Sequence, residues 1–399
     1  MAKFLIKQAA CFRQIPLLLL VISCGISSGT LMTIAVLMHI IICRYDKTPV
    51  LGALAYSRLF RHSLFFVLFA FACAFITVPF NDGNVSLLLK YMGRALPFLF
   101  IAIMAKPGED TFRTAWYGIL CSLFCLLIMV IQHPVWDVQR LHGPFGSPNT
   151  LAGLIAVMIP VAMFGFVKYR KSSCYRAWAA AALVVSSLLV LLCTGSRNAY
   201  GTFAVTFLLL MYFVYRYRDW GALRILGAAM LIALVTIALF APSILMQRMD
   251  RDLEKDGRVY LVQSGIQIAK EHPWVGIGAG NWGHVYKERF EAGNPNREKD
   301  IQSPHNLYLH IFDETGLIGS AGFLLLMAHQ MKVLYTALQR AYARNRTAFP
   351  WLIGFGLSVA AVYLFGVFDY GFFSRHMMQL YWLLWGLCLC AAESTRKES

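Results

Sequence analysis

Apolar positions in this chain come in unbroken runs instead of one-sided stripes. Stretches such as "PLLLLVISCGI" from Pro16 and "LFFVLFAFACAFI" from Leu64 have no polar face. A helix that is hydrophobic all round is either buried in a large core or surrounded by lipid. The runs predict roughly twelve helices of bilayer length, centred near Leu20, Val36, Ala70, Leu99, Phe124, Ala156, Val185, Leu208, Leu231, Leu324, Val359 and Leu384. The first run follows Lys3, Lys7 and Arg13, as a signal peptide would. It leads almost directly into the second, so an uncleaved helical hairpin is expected.

One segment departs from this rhythm. The stretch from Pro242 to Pro304 is polar and too long for an ordinary connector. The chain therefore divides into nine spans over 1–241, a loop domain over 242–304, and three spans with a short tail over 305–399. Within the loop, "GRVYLVQSGIQIAKEH" from Gly257 and "NWGHVYKERFEAG" from Asn281 predict two helices. The intervening "PWVGIGAGN" has no Lys-Ser/Thr after it and does not follow a strand. It is expected to be a turn that lays its backbone and Trp282 against the membrane surface, not a nucleotide loop.

Composition agrees with a bilayer protein. The 399 residues are 58% hydrophobic and 14% charged, with a mean hydropathy of +0.59. No water-soluble domain hides that much apolar surface. The net charge of +16 is distributed by topology. With the N-terminus cytoplasmic, most of the 36 Lys and Arg fall on inner segments, and only Lys90, Arg94, Arg140, Arg197 and Arg375 lie near short outer turns. Both termini are then cytoplasmic, the long loop is outside, and the charge serves orientation and attraction to anionic membrane lipids, with no nucleic-acid partner. All ten cysteines lie in spans or on the inner side, which leaves no disulfide framework or zinc site for the loop.

Candidate chemistry begins with ionisable groups at the outer ends of spans. Alternating Asp250, Asp252, Glu254 and Asp256 imitate a calcium loop. The glycine is misplaced, the twelfth-position glutamate is missing, and Arg248, Arg251 and Lys255 are interleaved, so a solvated, self-neutralised face is expected and no metal site. Arg197 ends the seventh span, Arg140 and His142 precede the sixth, Arg258 opens the first loop helix, and His305 opens the tenth span. Basic groups at membrane depth on one outer face point to function. Snorkelling of Arg197 to phosphates, local pairing of Arg258 and backbone satisfaction of His305 are the structural alternatives. In "SPHN", Ser303 is a candidate cap and Pro304 suits a first turn, which would put His305 at a helix N-terminus whose dipole keeps the ring neutral. Asp313 and Glu314 lie two to three turns beyond His305 and are expected to serve packing.

The ordered set "HGPFGSPNTLAG", "SRNAYG", "GRVYLVQSGIQIAKEHPWVGIGAGNW" and "HNLYLHIFDETGLIG" resembles the O-antigen ligase superfamily, which also holds O-antigen polymerase-like proteins and bacterial protein O-oligosaccharyltransferases. The resemblance implies an all-α polytopic membrane protein, similar to the polyprenyl-phosphate-sugar-dependent glycosyltransferases, with one long periplasmic loop. The chain stops shortly after its last span, which favours a ligase over the usually longer protein-glycosylating relatives. Such a ligase moves glycan from undecaprenyl diphosphate to the lipid A-core oligosaccharide at the periplasmic face of the bacterial inner membrane and needs no cofactor. Position by position, the essential groups are Arg197, Arg258 and His305, while Arg140, His142, Ser196 and Asn306 are further candidates for binding substrate.

Physical chemistry fits that assignment. Cleavage at the anomeric carbon leaves negative charge on the diphosphate, which planar, permanently charged guanidinium forks can stabilise where a metal would otherwise act. A neutral imidazole can take the acceptor hydroxyl's proton, with inversion, or instead donate a hydrogen bond to the diphosphate. Polymerisation, transfer to a serine or threonine, and glycan transport remain as alternatives. Clustering of charge on one face and the lack of an internal repeat weigh against transport.

Overall fold

The computed structural model describes residues 2–137, 140–216, 218–240, 257–294, 301–343 and 348–396. The acidic run from Asp250 to Asp256, together with Arg344 and Arg346, lies outside the described residues. The described chain is mostly helical. Its helices are α1 (Ala2–Ile26), α2 (Gly29–Tyr45), α3 (Arg58–Thr77), α4 (Val85–Arg94), α5 (Leu96–Met104), α6 (Glu109–Gln132), α7 (Pro148–Tyr169), α8 (Cys174–Thr194), α9 (Arg197–Arg216) and α10 (Trp220–Phe240). There follow α11 (Gly257–Glu271), α12 (Trp282–Arg289), α13 (Leu307–Ala343), α14 (Phe349–Phe365) and α15 (Arg375–Ser394). A two-residue antiparallel ribbon, β1 (Trp136–Asp137) with β2 (Arg140–Leu141), joins α6 to α7.

Every expected span centre falls inside a helix. Among the described residues, seven segments are long and apolar enough to cross a membrane: 58–80, 85–104, 109–132, 148–169, 174–194, 197–216 and 307–343. The protein is thus a polytopic, helical membrane protein. Large apolar side chains such as Phe65, Leu189 and Leu208 stand on its outer faces, where a bilayer would cover them.

Sequence determines which helices sit inside. α7 has no polar face and is buried along nearly its whole length, with α8 and α14 packed against it. Polar glue joins α13, α14 and α15: Gln330 Nε2 donates to Tyr381 Oη at 2.8 Å, and the Tyr363 and Tyr381 hydroxyls meet at 2.7 Å. Paired this way, buried polar groups fix the register of helices that otherwise touch only through apolar atoms.

Two helices depart from simple spans. The run around Leu99 divides into α4 and α5 at Ala95, where Pro97 stands in the new first turn. The run around Leu324 becomes a helix of 37 residues broken at Gly316, whose φ of +61° and ψ of −161° lie outside the helical region. Both breaks fall at the end of the bundle that carries the candidate site.

Candidate active site

The site is assembled by the turn between α14 and α15. The last carbonyls of a helix have no intrahelical partners, and here three consecutive ones are used as anchors. The Phe365 carbonyl accepts from Asn198 Nδ2 at 2.7 Å, that of Gly366 from the Leu307 amide at 2.7 Å, and that of Val367 from Asn306 Nδ2 at 2.9 Å. Asn198 adjoins Arg197, while Asn306 and Leu307 follow His305. The starts of α9 and α13, and with them Arg197 and His305, are therefore held at one corner of the fold. Close approach is possible because Gly366 has no side chain: a Cβ there would meet the Leu307 side chain at 2.7 Å.

The same turn carries polar groups that the sequence did not single out. Asp369 is 4% exposed, and its carboxylate accepts from the Gly371 amide at 2.8 Å and from Asn149 Nδ2 at 2.9 Å. Asn149 Oδ1 in turn accepts from Arg140 Nη2 at 2.8 Å, and Arg140 Nε donates to the Thr194 carbonyl at 2.9 Å. Arg140 thus has a structural role, locking the ribbon, the start of α7 and the end of α8 to Asp369. A buried acid within "GVFDYGFF" was the available signal, since carboxylates at membrane depth are costly unless engaged.

His305 is placed differently from the expectation. It lies two residues before α13, with φ +52°, and is not in the helix's first turn. Its amide donates to Ser303 Oγ at 3.3 Å, which occupies the expected cap in a local turn. Asn306 is the cap instead: its Oδ1 accepts from the Leu309 amide at 2.9 Å while its Nδ2 holds Val367. Histidine tolerates the left-handed region better than most residues, and the strain of about 1–2 kcal/mol is balanced by the anchors on either side. The half-buried imidazole stands nearly at right angles to the Tyr370 ring, centroids 5.9 Å apart. Tyr370 also reaches His310 at 5.7 Å, and His310 Nε2 lies 3.5 Å from Glu314 Oε2.

The other candidates divide by exposure. Arg197, the first residue of α9, is exposed, and buried Ser196 caps that helix through the Ala199 amide at 3.4 Å. His142 is half-buried beside the ribbon, its amide bonded to the Val135 carbonyl at 3.0 Å. Arg258 is half-buried in the first turn of α11. That helix lies across the start of α13, where a Cβ on Gly265 would come within 2.8 Å of Leu309 and Asp313.

The glycine loop after α11 corrects a second expectation. It enters the break in α13, and Trp282 is buried inside the protein. Ile277 and Gly278 amides donate to the Asp313 and Glu314 carbonyls at 2.8 and 3.0 Å, and the Leu317 and Ile318 amides donate to Pro273 and Trp274 carbonyls at 2.8 and 3.2 Å. The loop's backbone thereby satisfies groups that the broken helix leaves open. Trp282 is buried, its Nε1 donating to Asp313 Oδ2 at 2.9 Å, and Glu314 Oε1 accepts from the Gly280 amide at 2.9 Å. Asp313 and Glu314 thus have the packing role expected of them. Trp282, Tyr286, Leu261, Ile268 and Phe290 form a small apolar core of their own beneath this loop.

Next to the break lies an apolar cleft, partly open to solvent, between α3, α4, α13 and α15. Its walls are apolar, with Phe71, Leu88, Phe323 and Trp382 among them, and Tyr91 and Glu314 supply polar groups. Phe373 lines it and packs on His310, ring centroids 5.2 Å apart. Ring contacts run from Phe373 through His310 and Tyr370 to His305.

No curated protein matches the chain. A family model described as O-Antigen ligase matches residues 182–324, from α8 to the middle of α13, a stretch that contains Arg197, Arg258 and His305. Over those residues the chain carries the sequence pattern of the O-antigen ligase family, in agreement with the resemblance read from its motifs.

Proposed function

We propose that this protein is an O-antigen ligase, a glycosyltransferase that moves a glycan from undecaprenyl diphosphate to a hydroxyl of the lipid A-core oligosaccharide. The reaction takes place at the periplasmic face of the inner membrane, with both termini cytoplasmic. The observation that carries the reading is the anchoring of the Arg197 and His305 neighbours on consecutive carbonyls of one turn, inside the stretch that matches the family.

The acceptor oxygen attacks the anomeric carbon from the face opposite the diphosphate. His305 takes its proton, the carbon–oxygen bond to the diphosphate breaks, and the electron pair stays on the leaving phosphate oxygen. Configuration inverts. Arg197 and Arg258 balance the growing charge by paired hydrogen bonds, without a metal, and loss of one such contact costs about 2–4 kcal/mol of transition-state stabilisation. The cleft beside Glu314 has the apolar walls that a prenyl chain needs.

Purified protein given undecaprenyl-diphosphate-linked glycan, lipid A-core and EDTA tests the proposal, with His305→Ala alongside. Product from the wild type and none from the folded variant supports a ligase with His305 in the chemistry. Full activity in the variant removes His305 as base. Product only with a second lipid-linked glycan or a serine peptide as acceptor reassigns the protein to polymerisation or protein glycosylation. Glycan movement without a new glycosidic bond makes it a transporter.

A further inference from the structure

One pocket of the described structure lies away from the candidate active site. It opens between α3, α13 and the end of α15. On α13 it is lined by Lys332, Thr336 and Arg340, spaced one turn apart along a single face. His62 on α3 and Arg396 after α15 face them. From the break at Gly316 to Arg340 the helix advances about 36 Å at helical rise, enough to cross a bilayer's hydrocarbon core. The pocket therefore lies at the membrane surface opposite the candidate site, the side that the charge distribution makes cytoplasmic.

We propose that this pocket binds an anionic phospholipid, with the headgroup phosphate between Lys332, Arg340 and Arg396 and an acyl chain along its apolar wall. No lining residue is acidic. Glu393 Oε2 lies 3.8 Å from Arg396 Nη1, and Lys332 and Arg340 have no ion-pair partner among the described residues. Lys332 and Arg340 are exposed, but with Arg396 they line one concavity, where their mutual repulsion is relieved by an anion.

The pocket is also graded from apolar to basic. Leu325, Phe66 and Val333 line it on the side nearer the bilayer centre, and Arg340 and Arg396 at the rim. Leu325 is 47% exposed, so that wall is open to lipid. His329 belongs to the wall: its Nε2 meets Ser63 Oγ at 2.8 Å and its ring stacks on Phe66 at 4.4 Å. A free phosphate would use only the basic rim, whereas a phospholipid uses both ends.

The test is binding by the full-length protein in a neutral detergent, read by native mass spectrometry and by the thermal midpoint. Phosphatidylglycerol should remain bound and raise the midpoint, while phosphatidylcholine and inorganic phosphate should do neither. Lys332→Gln with Arg340→Gln should weaken phosphatidylglycerol binding roughly thirtyfold, the effect of two charges near an anionic lipid. Lys171→Gln with Arg176→Gln, two exposed cations on the same membrane side, should leave it unchanged. Equal retention of phosphatidylcholine, an equal shift with inorganic phosphate, or equal loss in the control pair overturns the proposal. If the lipid-free midpoint of the double variant falls, Lys332→Gln alone is read by mass spectrometry, where undiminished lipid occupancy is likewise fatal to it.

Discussion

The Tyr370 and His305 rings meet nearly at right angles with centroids 5.9 Å apart, and the Tyr370 ring also reaches His310 at 5.7 Å. Tyr370 therefore sets where the His305 ring can sit, since His305 itself precedes the helix and has no helical turn to hold it. Tyr370→Phe keeps the ring and should retain transfer close to the wild-type rate. Tyr370→Ala should lower kcat about ten- to a hundredfold through misplacement, with KM little changed. Burial, then the charges of Asp369 and Glu314, push the Tyr370 phenol above its usual range. The transfer rate should accordingly show no loss from Tyr370 at the pH near 10 where a free phenol ionises. Equal damage from Phe and Ala would mean that the hydroxyl acts chemically, and the positioning role would be abandoned.

Asn149 is the hinge of a charge relay, with its amide nitrogen on Asp369 and its oxygen receiving Arg140. Asn149→Asp sets carboxylate against carboxylate and removes the donor. It should destabilise the protein by about 1–3 kcal/mol and lower transfer. Adding Asp369→Asn restores a donor at the turn, while the carboxylate at position 149 still receives Arg140. The double variant should recover a large part of both losses, a coupling of about 0.5–3 kcal/mol in a double-mutant cycle read by thermal unfolding. Additive losses would show that Asn149 and Asp369 do not act through one another.

What the sequence made legible follows from where the signal lives. Helices at every span centre, and the two loop helices from Gly257 and from Trp282, were readable because apolar runs and helical periodicity are local. The cap at Asn306 was not, because Ser303 and Asn306 are both good caps and only the Val367 carbonyl, sixty-one positions away, decides between them. The hub at Asp369 and Tyr370 was missed for a related reason: its meaning depends on Asn149, Asn198, His305 and Asn306, which arrive from three other parts of the chain. The glycines after α11 signalled a turn correctly, but nothing local to them revealed a broken helix as their partner.

Those glycines make a steric prediction. Gly276 and Gly278 have φ of +70° and +94°, and a Cβ would lie 2.5 Å from the Glu314 carbonyl carbon and 2.3 Å from the Asn81 oxygen. Neither obstacle is a side chain that can swing away. Gly276→Ala and Gly278→Ala should each lower stability by more than about 1 kcal/mol, since strain and clash add. Gly201→Ala, in α9 with nothing near its Cβ position, should be neutral or stabilising by up to about 1 kcal/mol. Thermal unfolding in detergent checks all three, and a stabilised Gly276→Ala would show that the loop does not enter the break in α13.

Trp282 offers the sharpest test of that docking. Its indole nitrogen donates to Asp313 Oδ2 at 2.9 Å, and Asp313 is 0% exposed. Trp282→Phe keeps an aromatic ring for the stack on Tyr286, whose centroid lies 5.1 Å away, but leaves the buried carboxyl without its donor. The cost should be about 1–3 kcal/mol, and amides of residues 274–281 should exchange faster with deuterium while those of α7 do not. Asp313→Asn keeps an acceptor for the indole and should exchange nearly as slowly as the wild type. If Asp313→Asn loosens the loop as much as Trp282→Phe does, then it is the charge at position 313, and not the indole bond, that holds the loop in the broken helix.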